Sequence, residues 1–356
     1  MSKKLKTGII GVGGIANGKH MPALAQLDDE VEMAAFCDII KKRAVKGAEE
    51  YGTSDAEVFT DYKELLKMDE IDIVHVLTPN DVHAPITIAA LKAGKDVMCE
   101  KPMAVSSEEA WHMVETAEKT GQKLTIGYQS RHKKESRYLK NLIESNKFGE
   151  IYFAKTHALR RRGVPTWGVF MDKEKQGGGP LIDIATHSLD LTLWLLDNYE
   201  WEIVLGSTYN KLGKQKNTVN RWGTWDPDEF SVEDSGFALV KFKDGMTLIL
   251  ESSWAINSLR TDLKVLFSGT RGGAEITDSE VTLNGEEGGR LYTTQPNFEM
   301  GLKREENDSL REFKVWIGAV KEENKLVTLP EQAAVVSEIL EAVYKSSETG
   351  KPVYND

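Results

Sequence analysis

Two cysteines, Cys37 and Cys99, are all that this 356-residue chain carries, and they stand far apart within apolar runs. That excludes a disulfide framework and fits reduced, buried thiols. No apolar run approaches the ~18 residues of a membrane span, so no membrane partner is expected. Basic excess is missing too: the formal net charge is -11, which argues against nucleic acid as a partner. No Cys/His cluster has ligand spacing, so no metal is expected and a zinc-dependent reaction is set aside. The start, Met1-Ser2-Lys3-Lys4-Leu5-Lys6, is basic, but neither an apolar h-region nor a small-residue cleavage site follows. A cytoplasmic location is the expectation. What the chain does have is the mix of a folded protein, 40% hydrophobic and 28% charged, at a length suited to two domains.

The first 130 or so residues alternate between short apolar runs and helical patterns. Thr7–Ile10, Val31–Cys37, Ile71–Leu77, Val97–Cys99 and Leu124–Ile126 read as strands buried on both faces. Helices are expected at Ile15–Gln26, Lys42–Tyr51, Tyr62–Lys67, Val82–Ala93 and Ser107–Thr120. This alternation predicts a doubly wound parallel sheet with right-handed crossovers. After a helix at Glu135–Asn146 the pattern changes to longer, half-alternating strands: Gly149–His157, Val204–Tyr209, Phe237–Phe242, Thr247–Ser253, Lys264–Ser268 and Glu280–Leu283. A mostly antiparallel sheet follows from these, with a hairpin at Lys243-Asp244-Gly245. One helix is expected at Pro180–Leu196 and a closing one at Glu331–Ser346. The polar stretch Lys211–Phe230 reads as a long loop near a site or an interface.

Four polar clusters fall at the carboxyl ends of the first-half strands, the edge where doubly wound sheets bind ligands. The first is Gly11-Val12-Gly13-Gly14-Ile15-Ala16, a G-x-G-x-x-A pattern between strand and helix. Its first glycine makes a tight turn, its second lets backbone approach a pyrophosphate, and the helix start faces the phosphates. Gly13 to Lys19 also reads G-x-x-x-x-G-K, but His20 stands where a triphosphate loop needs Ser or Thr to hold magnesium. Asp38, the second cluster, ends a strand roughly 20 residues beyond Ala16, where a carboxylate binds the ribose diol and favours NAD over NADP. Lys41, Lys42 and Arg43 follow and soften that preference. Thr78-Pro79-Asn80-Asp81-Val82-His83 and Glu100-Lys101-Pro102 are the third and fourth.

In the second half, Gly177-Gly178-Gly179-Pro180 breaks the chain and starts a helix. Asp183, His187 and Asp190 then share one stripe of an otherwise apolar helix. Such a stripe is costly unless paired or solvated, and it marks a candidate site.

Taken together, Gly11–Ala16, Glu100-Lys101-Pro102 and the Gly-Gly-Gly run ending at His187 resemble the Gfo/Idh/MocA oxidoreductases. The resemblance extends through Phe267–Gly273 to Ala342–Ser347. It implies a Rossmann domain at 1–127, then an α+β domain at 128–356 with an open-faced, mostly antiparallel sheet for substrate and oligomerisation. It also implies NAD as cofactor, a homodimer or homotetramer, and Lys101, Asp183 and His187 as the catalytic set. The expected cofactor residues are Gly11, Gly13, Gly14, Ile15, Ala16, Asp38, Thr78, Asn80, His83, Glu100, Lys101 and Gln129. Substrate is expected at Lys101, Arg131, Arg162, Trp167, Asp183 and His187.

The chemistry suits hydride transfer between nicotinamide and a secondary hydroxyl of a sugar, glycoside or polyol. A neutral imidazole at His187 can take the hydroxyl proton, and Lys101 can stabilise the developing alkoxide. Arg131 and Arg162 offer forks for an anionic group on the sugar, and Trp167, with Trp222 or Trp225, a face for its ring. Two alternatives remain: a glycosidase that oxidises its sugar transiently, and a non-catalytic NAD-binding sensor or regulatory protein.

Overall fold

The computed structural model describes residues 4–259, 261–277, 280–299 and 307–355; the first three residues of the basic N-terminal stretch lie outside these. The chain divides into two compact units. One runs through His132 and regains a returning segment that ends at Ala334; the other starts at Lys133 and regains the chain from Val335. The expected boundary at 127/128 therefore lies close to the observed one, but the chain crosses back. A helix at Asp308–Val320 causes this: Phe313, Trp316 and Ile317 join Ile9, Phe36, Ile73 and Met98 in the first unit's core.

In the first unit six strands, β1 (Leu5–Ile10), β2 (Val31–Cys37), β3 (Glu57–Phe59), β4 (Ile73–Val76), β5 (Asp96–Cys99) and β6 (Leu124–Ile126), form one sheet in the order 3-2-1-4-5-6. Every pairing is parallel. Burial on both faces explains the predominantly apolar composition of β1, β2 and β4. The order reverses direction beside β1, so the carboxyl ends of β1 and β4 flank the switch point. The main helices are α1 (Met21–Leu24), α2 (Lys41–Tyr51), α3 (Tyr62–Leu65), α4 (His83–Lys92) and α5 (Ser107–Thr120). Ser106 caps α5 by accepting from the Glu109 amide, and Gly121 ends it in the left-handed region at φ +73°.

The second unit contains a nine-stranded sheet. Its strands are β7 (Ile151–Leu159), β8 (Trp201–Tyr209), β9 (Ser235–Phe242), β10 (Thr247–Ser253), β11 (Asp262–Gly269), β12 (Gly272–Ile276), β13 (Val281–Glu287), β14 (Arg290–Thr294) and β15 (Val353–Tyr354). Among the described strands of this sheet, only β7 and β10 pair in parallel. Gly245, at φ +93°, closes the expected β9–β10 hairpin. One face of the sheet packs Ala154, Val204, Val240, Leu250 and Phe267 into the core. Alternate positions on the other face leave Leu205 and Leu239, which pair across β8 and β9, exposed. Such a face is what the expected homodimer or homotetramer would bury. The helices are α6 (Lys134–Glu144), α7 (Lys173–Gln176) and α8 (Thr186–Leu196), with α9 (Asp308–Val320) returning to the first unit and α10 (Pro330–Thr349) closing the chain. Among the described residues no helix is long and apolar enough to cross a membrane.

Candidate active site

The glycine turn has the geometry that its sequence requires. Gly11 sits at φ +92°, and a Cβ there would stand 2.6 Å from the Leu77 carbonyl oxygen. Only glycine fits. Nothing lies within 4 Å of a Cβ built on Gly13 or Gly14, so both leave an open cradle of backbone. Ala16, the third position, is wholly buried, which is why it must be small. The helix begins with a wide π-helical turn at Ala16–His20, and no side chain caps its start. Asp38 fastens this turn from the end of β2: one carboxylate oxygen accepts from the Val12 amide at 2.9 Å and the other from Ile40 at 2.8 Å. The Thr78 hydroxyl, at the carboxyl end of β4, is buried without a hydrogen-bond partner. An open glycine cradle after β1, a carboxylate at the end of β2 and an orphaned hydroxyl after β4 fit a dinucleotide laid across the ends of these neighbouring strands.

Two of the expected cofactor residues are engaged elsewhere. His83 is buried, with Nδ1 2.8 Å from the Pro102 carbonyl and Nε2 2.9 Å from that of Thr78. Burial pushes its pKa down, partly offset by those carbonyls. Set between those two carbonyls, His83 lies between the Thr78 turn and the Lys101-Pro102 turn rather than reaching outward. Glu100 is the second. Its Oε1 accepts from Lys19 Nζ at 3.0 Å and from His20 Nε2 at 2.9 Å, and its Oε2 accepts from the Lys101 amide at 3.1 Å. Gln129 opens a short 3₁₀ turn, Gln129–His132, just beyond β6, and Asn80 is buried at the start of another.

Glu100 belongs to a buried polar cluster that the sequence reading missed. Lys19 also lies 3.0 Å from Glu312 on α9, although that carboxylate's alignment is not that of a hydrogen bond. His20 and His75 face each other through their Nδ1 atoms at 2.9 Å, and Phe313 stacks on His75. Burial alone would raise the Glu100 pKa, but Lys19 and His20 hold it well below the usual range. Burial pushes His20 down to about 4, only partly offset by Glu100. Neutral His20 must therefore donate from Nε2 to Glu100 and accept at Nδ1 from His75. That leaves His75 Nε2 a bare acceptor, which is how it stands. Glu312 is raised by burial first and by Glu100 next, against the pull of Lys19. The signals were present in sequence: a histidine inside the apolar strand Ile73–Val76, and apolar spacing around Glu312.

In the second unit, the helix that carries Asp183 and His187 also starts with a π-helical turn, Leu181–Ala185, in which the Thr186 amide donates to the Leu181 carbonyl. The glycine run before it is a matter of space as well as chain breaking. A Cβ on Gly179 would strike the backbone of Glu233, and one on Gly178 the Tyr344 hydroxyl. Glu233 caps the turn, accepting from the Gly179 amide at 2.8 Å, the Leu181 amide at 3.1 Å and Tyr344 at 2.8 Å. Asp183 is nearly buried; its Oδ2 accepts from Trp254 Nε1 at 3.0 Å and lies 3.5 Å from Arg160 Nη1. His187, one turn further, is partly exposed, whereas Asp190 is fully buried.

The structure gives partners within the protein to both arginines expected to meet substrate. Arg131 is wholly buried, with Nη1 donating to the Val327 carbonyl at 2.9 Å and to Gln332 at 2.5 Å. It anchors the segment before α10 within the first unit. Arg162 donates to the carbonyls of Arg161 and Ile256 and to Asn257, which ties its loop down instead of leaving a fork for an anion. Arg160, two residues earlier, is the guanidinium beside Asp183. Trp167 is exposed and packs edge-to-face on Trp222, ring centres 5.1 Å apart. Trp225 is turned inward, donating to the Gly213 carbonyl at 2.7 Å.

Family models match both units: the NAD-binding Rossmann fold of an oxidoreductase family over residues 5–128, and its C-terminal alpha/beta domain over 140–354. The chain belongs to the Gfo/Idh/MocA oxidoreductase family. It is 36% identical to D-glucoside 3-dehydrogenase of Escherichia coli K12 over 99% of this chain and 98% of that protein. It is 31% identical to inositol 2-dehydrogenase of Salmonella typhimurium over 54% of this chain and 55% of that one. Among solved structures, levoglucosan dehydrogenase in complex with NADH superposes with a TM-score of 0.85 at 19% identity, covering 99% of both chains. Aldose-aldose oxidoreductase from Caulobacter crescentus gives 0.82 at 23% identity, covering 99% of this chain and 100% of that one. This member of the family is thus an NAD-dependent oxidoreductase with the Rossmann fold at its N-terminus.

Proposed function

We propose that this oxidoreductase oxidises a secondary ring hydroxyl of a glucoside, at carbon 3, with Lys101, Asp183 and His187 as its catalytic residues. The observation that carries the reading is Asp183. A nearly buried carboxylate, oriented by the Trp254 indole and flanked by Arg160, is built to accept a hydroxyl hydrogen bond beside aromatic side chains. The end-to-end similarity to a D-glucoside 3-dehydrogenase supports the position of attack. When bound, NAD accepts the hydride. His187 takes the hydroxyl proton as general base, and the Lys101 ammonium stabilises the negative charge left on that oxygen. Asp183 accepts from the neighbouring hydroxyl and fixes the ring. Methyl glucoside is expected to yield NADH and a 3-keto product identified by NMR, ahead of myo-inositol. The reading is sunk if inositol is preferred, or if the oxidised carbon is another one.

The cofactor residues are proposed to be the glycine turn from Gly11 to Ala16, Asp38, Thr78, Asn80 and Gln129. Asp38→Ala removes the carboxylate that meets the ribose diol and also loosens the Gly11 turn, so both dinucleotides bind more weakly. The NAD-to-NADP ratio isolates the ribose contact and is expected to fall about tenfold, the worth of a charge-assisted hydrogen bond. Cofactor titration checks this, and an unchanged ratio removes Asp38 from the ribose.

A further inference from the structure

Resting on the glucoside reading, we propose that Trp167 forms a second subsite that stacks on the ring attached to the glucoside's anomeric oxygen. Two loops of the second unit build it. The first leaves β7 and is fastened along the end of β10: the Arg160 amide donates to Ser253 at 2.8 Å and the Gly163 amide to Trp254 at 2.7 Å. The second comes from the long segment around 220. Asn220 clasps Val164 in both directions, at 2.9 and 3.0 Å, and the Thr166 hydroxyl donates to the Trp222 carbonyl. These bonds zip the loops together and hold the two indoles at 80° to one another.

The indoles differ in how they are used. Trp222 is clamped by guanidinium groups, Arg160 at 5.3 Å and Arg221 at 5.6 Å from its ring centre. Trp167 meets Trp222 and Phe170 only edge-to-face and stays 53% exposed. An indole so firmly placed yet so open is a surface for a flat apolar partner. Arg160 links this surface to the catalytic residue, since one end of its guanidinium faces Asp183 and its plane lies over Trp222. The stacking surface is therefore one guanidinium away from the carboxylate that fixes the ring being oxidised. A neighbouring ring on the same substrate is the group that fits there.

The occupant is neutral. Asp183 compensates Arg160, Arg162 is engaged by backbone carbonyls and Asn257, and Arg221 lies over the Trp222 face, so an apolar ring face rather than a charge is what Trp167 offers to meet. Two kinds of ring share the needed apolar face, an aryl group and a second pyranose. Equilibrium binding to the NADH-loaded protein separates them, with methyl β-glucoside, phenyl β-glucoside and cellobiose as probes. At least one of the two-ring compounds is expected to bind about tenfold tighter than the methyl glucoside, and which one gains identifies the occupant. Trp167→Ala brings that ratio close to one, and Trp167→Tyr, which keeps a stacking face, restores most of it. Equal affinities in the wild type, or a ratio that survives Trp167→Ala, overturn the subsite. The activity reading fails separately, if the binding ratio stands but no glucoside yields NADH. No binding by any of the three overturns both.

Discussion

His187→Ala is expected to lower turnover on the glucoside by roughly two to four orders of magnitude, the span that a positioned acid–base group supplies. The limb of the pH profile that reports imidazole ionisation is lost with it. Lys101→Ala is expected to cost a similar factor by leaving the developing alkoxide without its cation. NADH affinity serves as the control for both, because the glycine turn and Asp38 are untouched. Single-turnover rates with saturating NAD make the comparison, since they exclude product release. Near-normal rates in either variant would falsify that residue's assignment.

The second large effect is on stability. Lys19→Met removes the ammonium that faces both carboxylates and leaves Glu100 and Glu312 buried beside neutral His20. Breaking a buried pair in this way costs about 3–5 kcal/mol, chiefly through the uncompensated charge that stays behind. In a unit of this size that lowers Tm by roughly 10 °C. Glu312→Gln makes the informative contrast. Burial and Glu100 already raise the Glu312 pKa, so its removal leaves a one-to-one Lys19–Glu100 pair and is expected to shift Tm by only a few degrees. Calorimetry of the cofactor-free protein measures both. Equal losses from the two variants would mean that packing, rather than charge, governs the cluster.

The glycine turn and the strands of the first unit were legible because local chemistry dictates them. Gly11 needs a left-handed backbone wherever the chain goes next, and strands buried on both faces must be mostly apolar. So β2, β6, α5 and β10 fall where the sequence places them. The strands β3, β14 and β15 were not legible, because none of their residues is buried, so no core pattern marks them. Helix α9 was readable in principle: Leu310, Phe313, Trp316, Ile317 and Val320 keep helical spacing, and Asn307 caps its start.

Site residues divide along the same line. Sequence alone singled out the candidates for the chemistry: the glycine cradle, Asp38, Asp183 and His187 by spacing and residue type, and Lys101 through the resemblance to the family. Only the tertiary structure decided how the remaining charged groups are used. Lys19, dismissed with the triphosphate-loop pattern, is the cation of a buried cluster completed by a residue nearly 300 positions away. Arg131 and Arg162 are tied to backbone carbonyls, and Arg160 is the one beside Asp183. The physical reason is that a charge takes its role from its partners and its burial, and those are set by segments distant in sequence. A turn or a strand carries its requirement in its own few residues.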